Sequence, residues 1–548
     1  MAVAQDKRTS ELTAPVSIAD TDMFPGYRPG TGGEPNLDIR ASAGLIRAPI
    51  LAGLAAGDVA VDGIPSAKNA GAMANGTADD VGSLAQRFTD GSTTVLTPAS
   101  YSVSSLTVPY GKTLVIQRGA QLQVSGTTIS IQGQVRAPDA VFGPPGLCAS
   151  IGDSRTGGSA YAIPGTSLTN LNTLWTMCML RTNGALQWTP ELSFGIGGST
   201  TTSLDAQITS LAATSRLPRY CYVLSGTNDD GTVTADEQVR RFVNAWLRLL
   251  GMGIVPIHIC DLPRVQSSYT AALCSRNRQC QARLATLARH MGVIFVDGTP
   301  VMTDYSNTTG DPLAASFSTD LIHQSPVGNY AIAGVLSSLL LGKMLVPAWG
   351  HLASPTGADV YHATNNPYGN NWINPLFIGT GGAKGSNVTG NVPTGYTVTR
   401  NTGANSAVCD VEARADGVAG NWWKTTVTGP TAELNEFIIN QAAFAGVAGQ
   451  TIVYAADVYC TGMTGIASAT IELNQTGVSS STAWKGGDNA SSAATAGDTP
   501  ATYAGRLIIG PFVLQAGCTS VRTRLTAKFP TGSGGVVRFG NPYYAILR

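Results

Sequence analysis

The spacing of apolar residues changes several times along the chain, and each change predicts a different kind of structure. Between about residues 91 and 138, apolar and polar residues alternate, as at Leu114 and Ile116 and at Leu122 and Val124. A period of two places every second side chain on the same face of a strand. Glycine-containing turns follow each short run, so we interpret this stretch as rungs of a short β-helix or β-prism, with a plain β-meander as the alternative. So few rungs leave an apolar end that neighbouring domains or sister chains must cover.

Residues 146–347 instead alternate between short apolar runs and segments with helical spacing. Residues 219–224 and 254–259 are mainly apolar, as expected for strands covered on both faces. Thr234 and Glu237 fit a capping box, in which two side chains satisfy backbone amides at a helix start. Further helices are predicted over 276–290 and 329–341, and a further strand over 293–296. The alternation of strands and helices predicts a three-layer α/β domain with a mostly parallel sheet.

The last part of the chain, residues 351–548, shows alternation again, in a background rich in Gly, Thr, Ser and Asn. Alternating runs separated by turns predict an antiparallel β-sandwich. Trp422, Trp423 and Trp484 are candidates for stacking on sugar rings. Burial in the core is the commoner fate of such aromatic residues.

These patterns divide the chain into four predicted parts. They are a leader over residues 1–85, a β-rich, β-helix-like region over 86–145, the α/β domain over 146–347 and the sandwich over 351–548. The leader is a low-complexity stretch, rich in Gly and Pro towards its middle, and it is not expected to bury a core of its own.

Composition and charge exclude several classes of function. The formal net charge is zero and charged residues make up only 12%, so the chain lacks the electrostatic footprint of a nucleic-acid-binding protein. No apolar run approaches the length needed to cross a bilayer, and residues 1–12 lack the apolar core of a secretion signal. The nine cysteines include no CxxC pair and are predicted to be mostly free thiols. No His, Asp and Glu cluster has metal-ligand spacing, so neither a metal nor a cofactor is predicted.

The candidate chemistry centres on the stretch from Leu147 to Ser154, which is predicted to be a buried strand ending in a tight turn at a serine. A serine hydroxyl becomes an effective nucleophile when a base takes its proton and donors stabilise the oxyanion. Of the five histidines, His323 is the clear base candidate, because His258 lies within an apolar strand and the others lie near a helix end or beyond the α/β domain.

Four separated blocks of sequence carry a specific resemblance to a known family. In chain order they are Gly152–Ser154, Gly195–Thr200, Gly226–Asp229 and Asp320–His323, each at a predicted strand end or helix start. Together they resemble the blocks of the SGNH (GDSL-like) hydrolases. One such block recurs by chance, whereas four in the right order form a strong signal.

The resemblance implies a role for each residue of a serine-hydrolase site. Ser154 would attack an ester carbonyl, His323 would take the proton and later return it, and Asp320 would orient the imidazole. The oxyanion would lie among the backbone amides of Ser154 and Gly198 and the side-chain amide of Asn228. A glycine suits position 198 because the backbone must approach the substrate closely.

Two residues depart from the family's pattern, and three others have a second interpretation. Arg155 stands where many relatives carry Leu, and Phe194 where relatives often carry Asn or Arg, so the shape of the pocket is not predicted. Asp229 is expected to hold the turn of its block. Asp261 is a weaker rival of Asp320 as the orienting carboxylate. Ser154 itself has the alternative of a turn serine that caps the next segment.

The flanking regions resemble parts of phage tail spikes and tail fibres. Residues 10–30 resemble their virion-attaching start, residues 108–138 resemble the first turns of tail spike β-helices, and the last part of the chain resembles their carbohydrate-binding jelly rolls. The resemblance implies a homotrimeric enzyme of the virion, held to phage tail or baseplate proteins through its N-terminus. Its expected activity is removal of O-acetyl groups from a host surface polysaccharide, without nucleic acid or membrane insertion. The alternatives are a bacterial carbohydrate acetylesterase with a binding module, and a receptor-binding adhesin that does not use its hydrolase fold.

Overall fold

The structure is a computed structural model that describes most of the chain from residue 66 onwards. The described ranges are 66–140, 146–156, 173–229, 231–264, 270–306, 311–317, 320–340, 361–367, 369–400, 406–429, 435–440, 444–445, 447–465, 467–478, 484–485, 499–529 and 531–547. The predicted virion-attaching segment before residue 66 lies outside the described residues. No helix within the described ranges is long and apolar enough to cross a membrane. All nine cysteines lie within them and are free thiols, as predicted.

Residues 66–140 form a β-rich region that begins earlier than predicted. Its elements are β1 (Asn75–Asp79), α1 (Val81–Asp90), β2 (Thr93–Leu96), β3 (Ser100–Val103), β4 (Leu106–Val108), β5 (Thr113–Ile116), β6 (Gln121–Val124), β7 (Ile129–Ile131) and β8 (Gln134–Arg136). The predicted leader boundary at residue 85 is therefore too late. Leu84 and Phe88 of α1 are buried. These two apolar residues lie four positions apart on one face of the helix, among polar neighbours. They give the segment a contact with the core that its overall composition did not indicate.

The strands of this region pair in parallel and form three small sheets, ordered β1–β3–β6, β2–β5–β8 and β4–β7. Thr113, for example, pairs with Thr93 in the preceding repeat and with Gln134 in the following one. Regularly repeated parallel pairing is what stacked rungs require, and it excludes an antiparallel meander for these strands. Leu122 and Val124 of β6 are buried while their neighbours are exposed, as the alternation predicted.

Residues 146–340 contain a five-stranded sheet with the order β10–β9–β11–β12–β13. The elements are β9 (Gly146–Gly152), α2 (Leu174–Arg181), β10 (Leu186–Ser193), α3 (Leu204–Ala212), β11 (Tyr220–Leu224), α4 (Ala235–Gly251), β12 (Val255–Ile259), α5 (Ala271–Met291), β13 (Ile294–Val296), α6 (Thr299–Met302) and α7 (Pro326–Leu340). Every neighbouring pair is parallel, which confirms the predicted sheet. Helices α2, α3 and α6 and strand β10 were not predicted.

Strand β11 shows why the central strands are apolar throughout. All of its residues are buried. Tyr220 and Tyr222 belong to one hydrophobic cluster of the molecule, whereas Cys221 and Val223 belong to the other. A strand with a packed core on each face has no solvent side on which polar residues are favoured. The two clusters confirm the three-layer arrangement predicted for this domain.

The ends of the helices follow capping residues. Helix α5 begins earlier than predicted because the Thr270 hydroxyl accepts a hydrogen bond from the Leu273 amide at 3.3 Å. It ends at Gly292, whose φ of +66° suits glycine. At the start of α4, the Thr234 hydroxyl accepts from the Glu237 amide at 3.1 Å, which confirms that side of the predicted capping box.

Helix α4 covers the open side of the β-rich region. The Asn244 side chain accepts from the Val124 amide at 2.8 Å and donates to the Val124 carbonyl at 2.9 Å, so it pairs with β6 as another strand would. A Cβ atom at Gly251 would lie 2.1 Å from the Ala120 carbonyl oxygen, so only glycine permits this close approach. The prediction that a neighbouring domain caps the rungs is confirmed at this face.

The C-terminal part consists of two mainly antiparallel sheets. Its strands are β14 (Gly381–Lys384), β15 (Val388–Gly390), β16 (Val392–Arg400), β17 (Ala407–Ala413), β18 (Asn421–Val427), β19 (Asn435–Asn440), β20 (Phe444–Ala445), β21 (Thr451–Thr464), β22 (Ser468–Thr476), β23 (Trp484–Lys485), β24 (Thr502–Val513), β25 (Ser520–Phe529) and β26 (Gly534–Ile546). One sheet has the order β14–β16–β19–β25–β22–β23, with β20 on β25, and the other β15–β17–β18–β26–β21–β24. Buried residues of both sheets share one cluster. The jelly-roll topology stays a prediction.

The tryptophans of this part lie mostly in its interior. Trp423 is fully buried and Trp422 is 7% exposed. The guanidinium of Arg414 covers the Trp422 ring at 3.8 Å from its centroid. Both rings therefore pack in the interior, which is the commoner of the two roles expected for them. Neither ring has a face available for stacking on a sugar. The side chain of Trp484 is not described.

Candidate active site

Three neighbouring strands bring the predicted site residues to one edge of the sheet. In the sheet, β9 lies between β10 and β11. Ser154 follows β9, Gly198 follows β10 and Asn228 follows β11. Because the strands are parallel, their carboxyl ends meet at the same edge, where reactive groups gather in such sheets. Because these three strands are neighbours in the sheet, blocks that are far apart in the sequence lie close together in the structure.

Ser154, His323 and Asp320 form one hydrogen-bonded line. Nε2 of His323 lies 2.9 Å from the Ser154 Oγ. Nδ1 of the same ring lies 2.6 Å from Oδ2 of Asp320. With Nδ1 protonated towards the carboxylate, Nε2 is left as an acceptor for the serine proton, which is the tautomer that a general base requires. The expected meeting of residues 154 and 323 is confirmed, and their catalytic roles stay a prediction.

The loop that carries the base is shaped by the carboxylate of Asp320. Its Oδ1 accepts from the amides of Ile322 at 2.8 Å and His323 at 2.9 Å, while Oδ2 contacts the imidazole. Leu321 between them has a φ of +53°, a conformation that costs energy for a branched residue. The carboxylate therefore fixes both the turn and the ring. An Asp three residues before a His is sufficient for this arrangement only because the turn is so tight.

Three donors for an oxyanion are available beside the serine. Among the described residues, the amides of Ser154 and Gly198 donate to no protein acceptor. The Asn228 side-chain amide donates one hydrogen to the Ser199 carbonyl at 3.0 Å, which leaves its second hydrogen for a ligand. Gly198 has a φ of +73°, which favours glycine, and it is exposed. Amide donors of this kind stabilise a tetrahedral oxyanion in acyl transfer, and the oxyanion role of these three groups stays a prediction.

The glycine block is fastened to the end of β9 by Gly152. Its carbonyl accepts from the Ile196 amide at 3.1 Å, the Ser199 hydroxyl at 2.9 Å and the Gln207 side chain at 2.8 Å. A Cβ atom at Gly152 would lie 1.8 Å from the Leu224 carbonyl oxygen, so only glycine fits. Gln207 is a residue of this arrangement that the sequence motifs did not single out. Its signal is a polar residue on the otherwise apolar face of α3.

Asp229 has a structural role, as expected, but through partners that are distant in sequence. Its carboxylate accepts from the Thr201 amide at 3.0 Å, the Thr201 hydroxyl at 2.8 Å and the Gln238 side chain at 2.8 Å. Arg241 lies 3.9 Å away. The buried carboxylate thus ties the Asn228 turn to the residue after the glycine block and to helix α4, which holds Asn228 and Gly198 in a fixed arrangement.

Arg155, noted in the sequence only as a departure, is a buried connection beneath the site. Its Nε donates to the Ile322 carbonyl at 2.9 Å, and its guanidinium forms an ion pair with Asp261 at 2.9 Å. The side chains are 0% and 2% exposed. Further bonds reach the carbonyls of Leu262 and Pro263. Arg155 therefore joins the serine turn to the histidine loop and to the end of β12.

The sequence offers Asp261 as a weaker rival to Asp320 for orienting the histidine. In the structure Asp261 instead accepts from Arg155 and from the Asn277 side chain, while Asp320 contacts His323. The physical reason lies in the charge beside it, because a buried guanidinium requires a buried carboxylate. The orienting position belongs to Asp320.

Burial shifts the pKa of two further groups that bear on the site, Asp153 and His258. Burial raises the pKa of Asp153 from 3.8 to about 7, against the opposing effect of the Arg155 charge. His258 is also fully buried, which lowers its pKa to about 4 and keeps the ring neutral. Its Nε2 bonds Gln281 at 3.0 Å, and its ring packs against Phe242 and Phe295, in agreement with a core histidine. Within the described ranges, no group of three His, Cys, Asp or Glu side chains is arranged to hold a metal ion.

The part of the chain that contains this site matches the model of a known protein family. Residues 150–331 match the model described as the GDSL-like Lipase/Acylhydrolase family. The chain therefore contains a GDSL-like hydrolase domain within a larger multidomain protein, and the resemblance seen in the four blocks is confirmed for this part of the chain. A search of curated proteins found no match.

Several solved structures are similar to the same part of the chain. A member of the lipolytic protein G-D-S-L family from Veillonella parvula is 16% identical over 36% of this chain and 98% of its own, with a TM-score of 0.28. A GDSL-like lipase from Bacteroides thetaiotaomicron is 14% identical over 36% and 87%, with a TM-score of 0.27. A catalytic mutant of an acetylxylan esterase from Geobacillus stearothermophilus is 17% identical over 35% and 93%, with a TM-score of 0.28.

Proposed function

We propose that the chain is a serine esterase that removes O-acetyl groups from a polysaccharide. The observation that carries the proposal is the unbroken line from the Ser154 hydroxyl through His323 to Asp320, with contacts of 2.9 and 2.6 Å. A nucleophile, a base and an orienting carboxylate in this order are the requirements for acyl transfer through a covalent intermediate.

The reaction proceeds in two halves. Ser154 Oγ attacks the acetyl carbonyl as His323 Nε2 takes its proton, and the oxyanion lies among the amides of Ser154, Gly198 and Asn228. The intermediate collapses, the ester C–O bond breaks, and His323 returns the proton to the departing sugar hydroxyl. Water then attacks the acetyl-serine with His323 again as base, and acetate leaves as the Ser154 hydroxyl is restored.

A bulky, hydrated alcohol fits the openness of the described site. His323 and Asp320 have side chains 28% and 43% exposed, and Gly198 is exposed. The acyl group of an ester can therefore reach Ser154 while the alcohol portion remains in solvent. A small acetyl group on a polymer meets this condition. We infer a carbohydrate ester in preference to a lipid ester on this ground.

The proposed setting is the tail of a phage virion, with host surface polysaccharide as the substrate. The repeated parallel pairs of residues 66–140 support a short β-helix-like module, and the two sheets after residue 380 support a jelly-roll-like sandwich. A homotrimer attached to tail or baseplate proteins would gain from multivalent contact with a repetitive glycan. The same activity in a bacterial carbohydrate acetylesterase, and an adhesin without activity, are the competing outcomes.

The first experiment measures acetate released from O-acetylated polysaccharides and hydrolysis of 4-nitrophenyl acetate. We expect wild type to release acetate and Ser154→Ala to lose nearly all activity, since no other hydroxyl replaces the nucleophile. Ser210→Ala is the matched control, because Ser210 is an exposed serine on α3 that lies outside the four sequence blocks of the proposed site. Equal release by wild type and Ser154→Ala would rule out the proposed chemistry. Absence of activity in wild type on every ester would favour the adhesin.

A further inference from the structure

A second concave region lies on the other side of the loop that follows β12. A small cavity of about 60 Å³ adjoins a larger one of about 490 Å³, and the two share Arg278, Gln281, Thr299 and Thr303. The larger volume falls in the usual range of small-molecule pockets. Together they form a groove between helix α5 and the start of α6, which we call the α5 groove. None of the residues assigned to the acetyl transfer lines it.

The α5 groove adjoins the candidate active site through residues 261–264. These residues line its small cavity. Arg155, next to the nucleophile, donates to the carbonyls of Leu262 and Pro263. Arg264 donates to the Thr227 carbonyl at 2.9 Å, directly before Asn228. This loop therefore contacts the residues next to Ser154 and Asn228 and also lines the groove, so the groove adjoins the candidate active site.

The larger cavity offers an aromatic surface to solvent. Tyr305 at its rim is 68% exposed, and the half-buried ring of Phe295 also lines it. Exposing a tyrosine ring to this extent gains nothing for folding, since the apolar face stays in water. An amphipathic ring with a free face is suited to pack against the C–H face of a pyranose while its hydroxyl remains hydrated.

The polar side chains of the groove are available and partly oriented. The Gln281 carbonyl oxygen lies 3.0 Å from Nε2 of the neutral His258 ring, which must donate to it, so the Gln281 NH₂ group is left to donate elsewhere. Arg278 is exposed, and the described residues give it no ion-pair partner. Asp297 accepts from the Thr299 amide at 3.0 Å through one oxygen only. An amide, a guanidinium and a carboxylate around an apolar floor supply both donors and acceptors for sugar hydroxyls.

We propose that the α5 groove is a second sugar-binding subsite, which holds a pyranose unit of the acetylated polysaccharide away from the unit whose ester is cleaved. Tyr305 stacks on the ring, and Gln281, Arg278 and Asp297 contact its hydroxyl groups. The subsite rests on the proposed esterase function, and it makes the enzyme prefer a polymer over an isolated ester.

The test compares Tyr305→Ala and Arg278→Gln on two kinds of ester: 4-nitrophenyl acetate, and chemically O-acetylated xylan and alginate as a neutral and an anionic polymer. Tyr110→Ala and Arg289→Gln are the matched controls, because Tyr110 is 86% exposed on the β-rich region and Arg289 is exposed on α5 itself. We expect the groove variants to raise KM for a polymer between about twofold and tenfold, which corresponds to the usual strength of an aromatic contact. Neither kcat nor the rate on 4-nitrophenyl acetate changes.

The outcomes separate the subsite from the catalytic proposal. A wild type that is inactive on 4-nitrophenyl acetate and on both polymers overturns the esterase and the subsite with it. A wild type that is active, with groove variants that match it on both polymers, overturns the subsite alone. Equal losses on the small ester and the polymer also overturn it, because they indicate a general structural effect. A polymer-specific rise in KM that is absent from both control variants supports it.

Discussion

Replacing Arg155 by methionine tests whether the buried ion pair beneath the site holds it together. The substitution keeps much of the side-chain volume and removes the charge, so Asp261 stays buried and loses its ion-pair partner, while its contact with the Asn277 side chain remains. Both side chains of the pair are essentially inaccessible, at 0% and 2% exposure. Breaking a buried pair of this kind costs about 3–5 kcal/mol, because one charge stays out of water without its counterion.

Hydrogen exchange of peptides from β9 and β12, followed by mass spectrometry, is the suitable assay. The protein has several domains, so a single unfolding transition is not assured, whereas exchange reports on these strands alone. A loss of about 3 kcal/mol raises the opening equilibrium roughly a hundredfold. The control is Arg248→Met, which removes an ion pair with Asp205 whose side chains are 21% and 73% exposed. An exposed pair is worth less than about 1 kcal/mol.

The double variant Arg155→Met with Asp261→Asn separates stability from activity. Removing both charges should recover much of the lost stability, since no unpaired charge remains buried. In the double variant the hydrogen bond from Arg155 to the Ile322 carbonyl is still missing. The histidine loop is therefore held less firmly than in wild type, and we expect kcat to stay below the wild-type value in both the single and the double variant. If Arg155→Met changes exchange no more than Arg248→Met does, the reasoning about a buried pair is wrong.

Two further predictions concern the groups around the serine. Asn228→Ala removes one oxyanion donor and should lower kcat roughly a hundredfold or more with little change in KM, because the bond is made in the transition state; an unchanged kcat would exclude Asn228 from the oxyanion site. Asp153 has its pKa raised to about 7, so it keeps its proton in the folded protein at pH values where the unfolded chain has already lost it. Its contribution to the stability of the folded state is therefore fully present below about pH 4 and is lost as the pH rises through 7. Asp153→Asn removes this dependence, so exchange protection of β9 in the variant should improve relative to wild type between about pH 4 and pH 7; a difference that is constant with pH would contradict it.

The proposed site residues could be found in the sequence because each lies in a short block that resembles an SGNH hydrolase motif. The turn at Ser154 and the Asp320-to-His323 spacing are set by neighbours within a few residues. The Asp320 carboxylate bonds two amides of its own turn, which is a contact of purely local origin. Turn geometry of this kind depends on consecutive residues, so it can be predicted without knowing the fold.

The partners that hold the site together were not accessible in this way. Arg155 bonds residues more than 100 positions later, and Asp229 bonds Thr201 across the gap between two strands. A buried charge finds its counterion through the packing of the whole domain, so its sequence neighbours carry no sign of the partner. The leader boundary was misplaced for a similar reason, since the burial of Leu84 and Phe88 depends on a sheet formed by later residues.

The sequence by itself thus determined the alternation of strands and helices and the parallel sheet, because periodicity acts over a few residues. Four short blocks that resemble SGNH hydrolases also pointed to Ser154, His323 and Asp320 as the proposed nucleophile, base and orienting carboxylate. Only the tertiary structure decided which groups lie beneath and beside them: the Arg155 pair with Asp261, the burial that raises the pKa of Asp153, and the groove between α5 and α6. These depend on distances between segments far apart in the chain, and desolvation and charge pairing arise only when those segments meet.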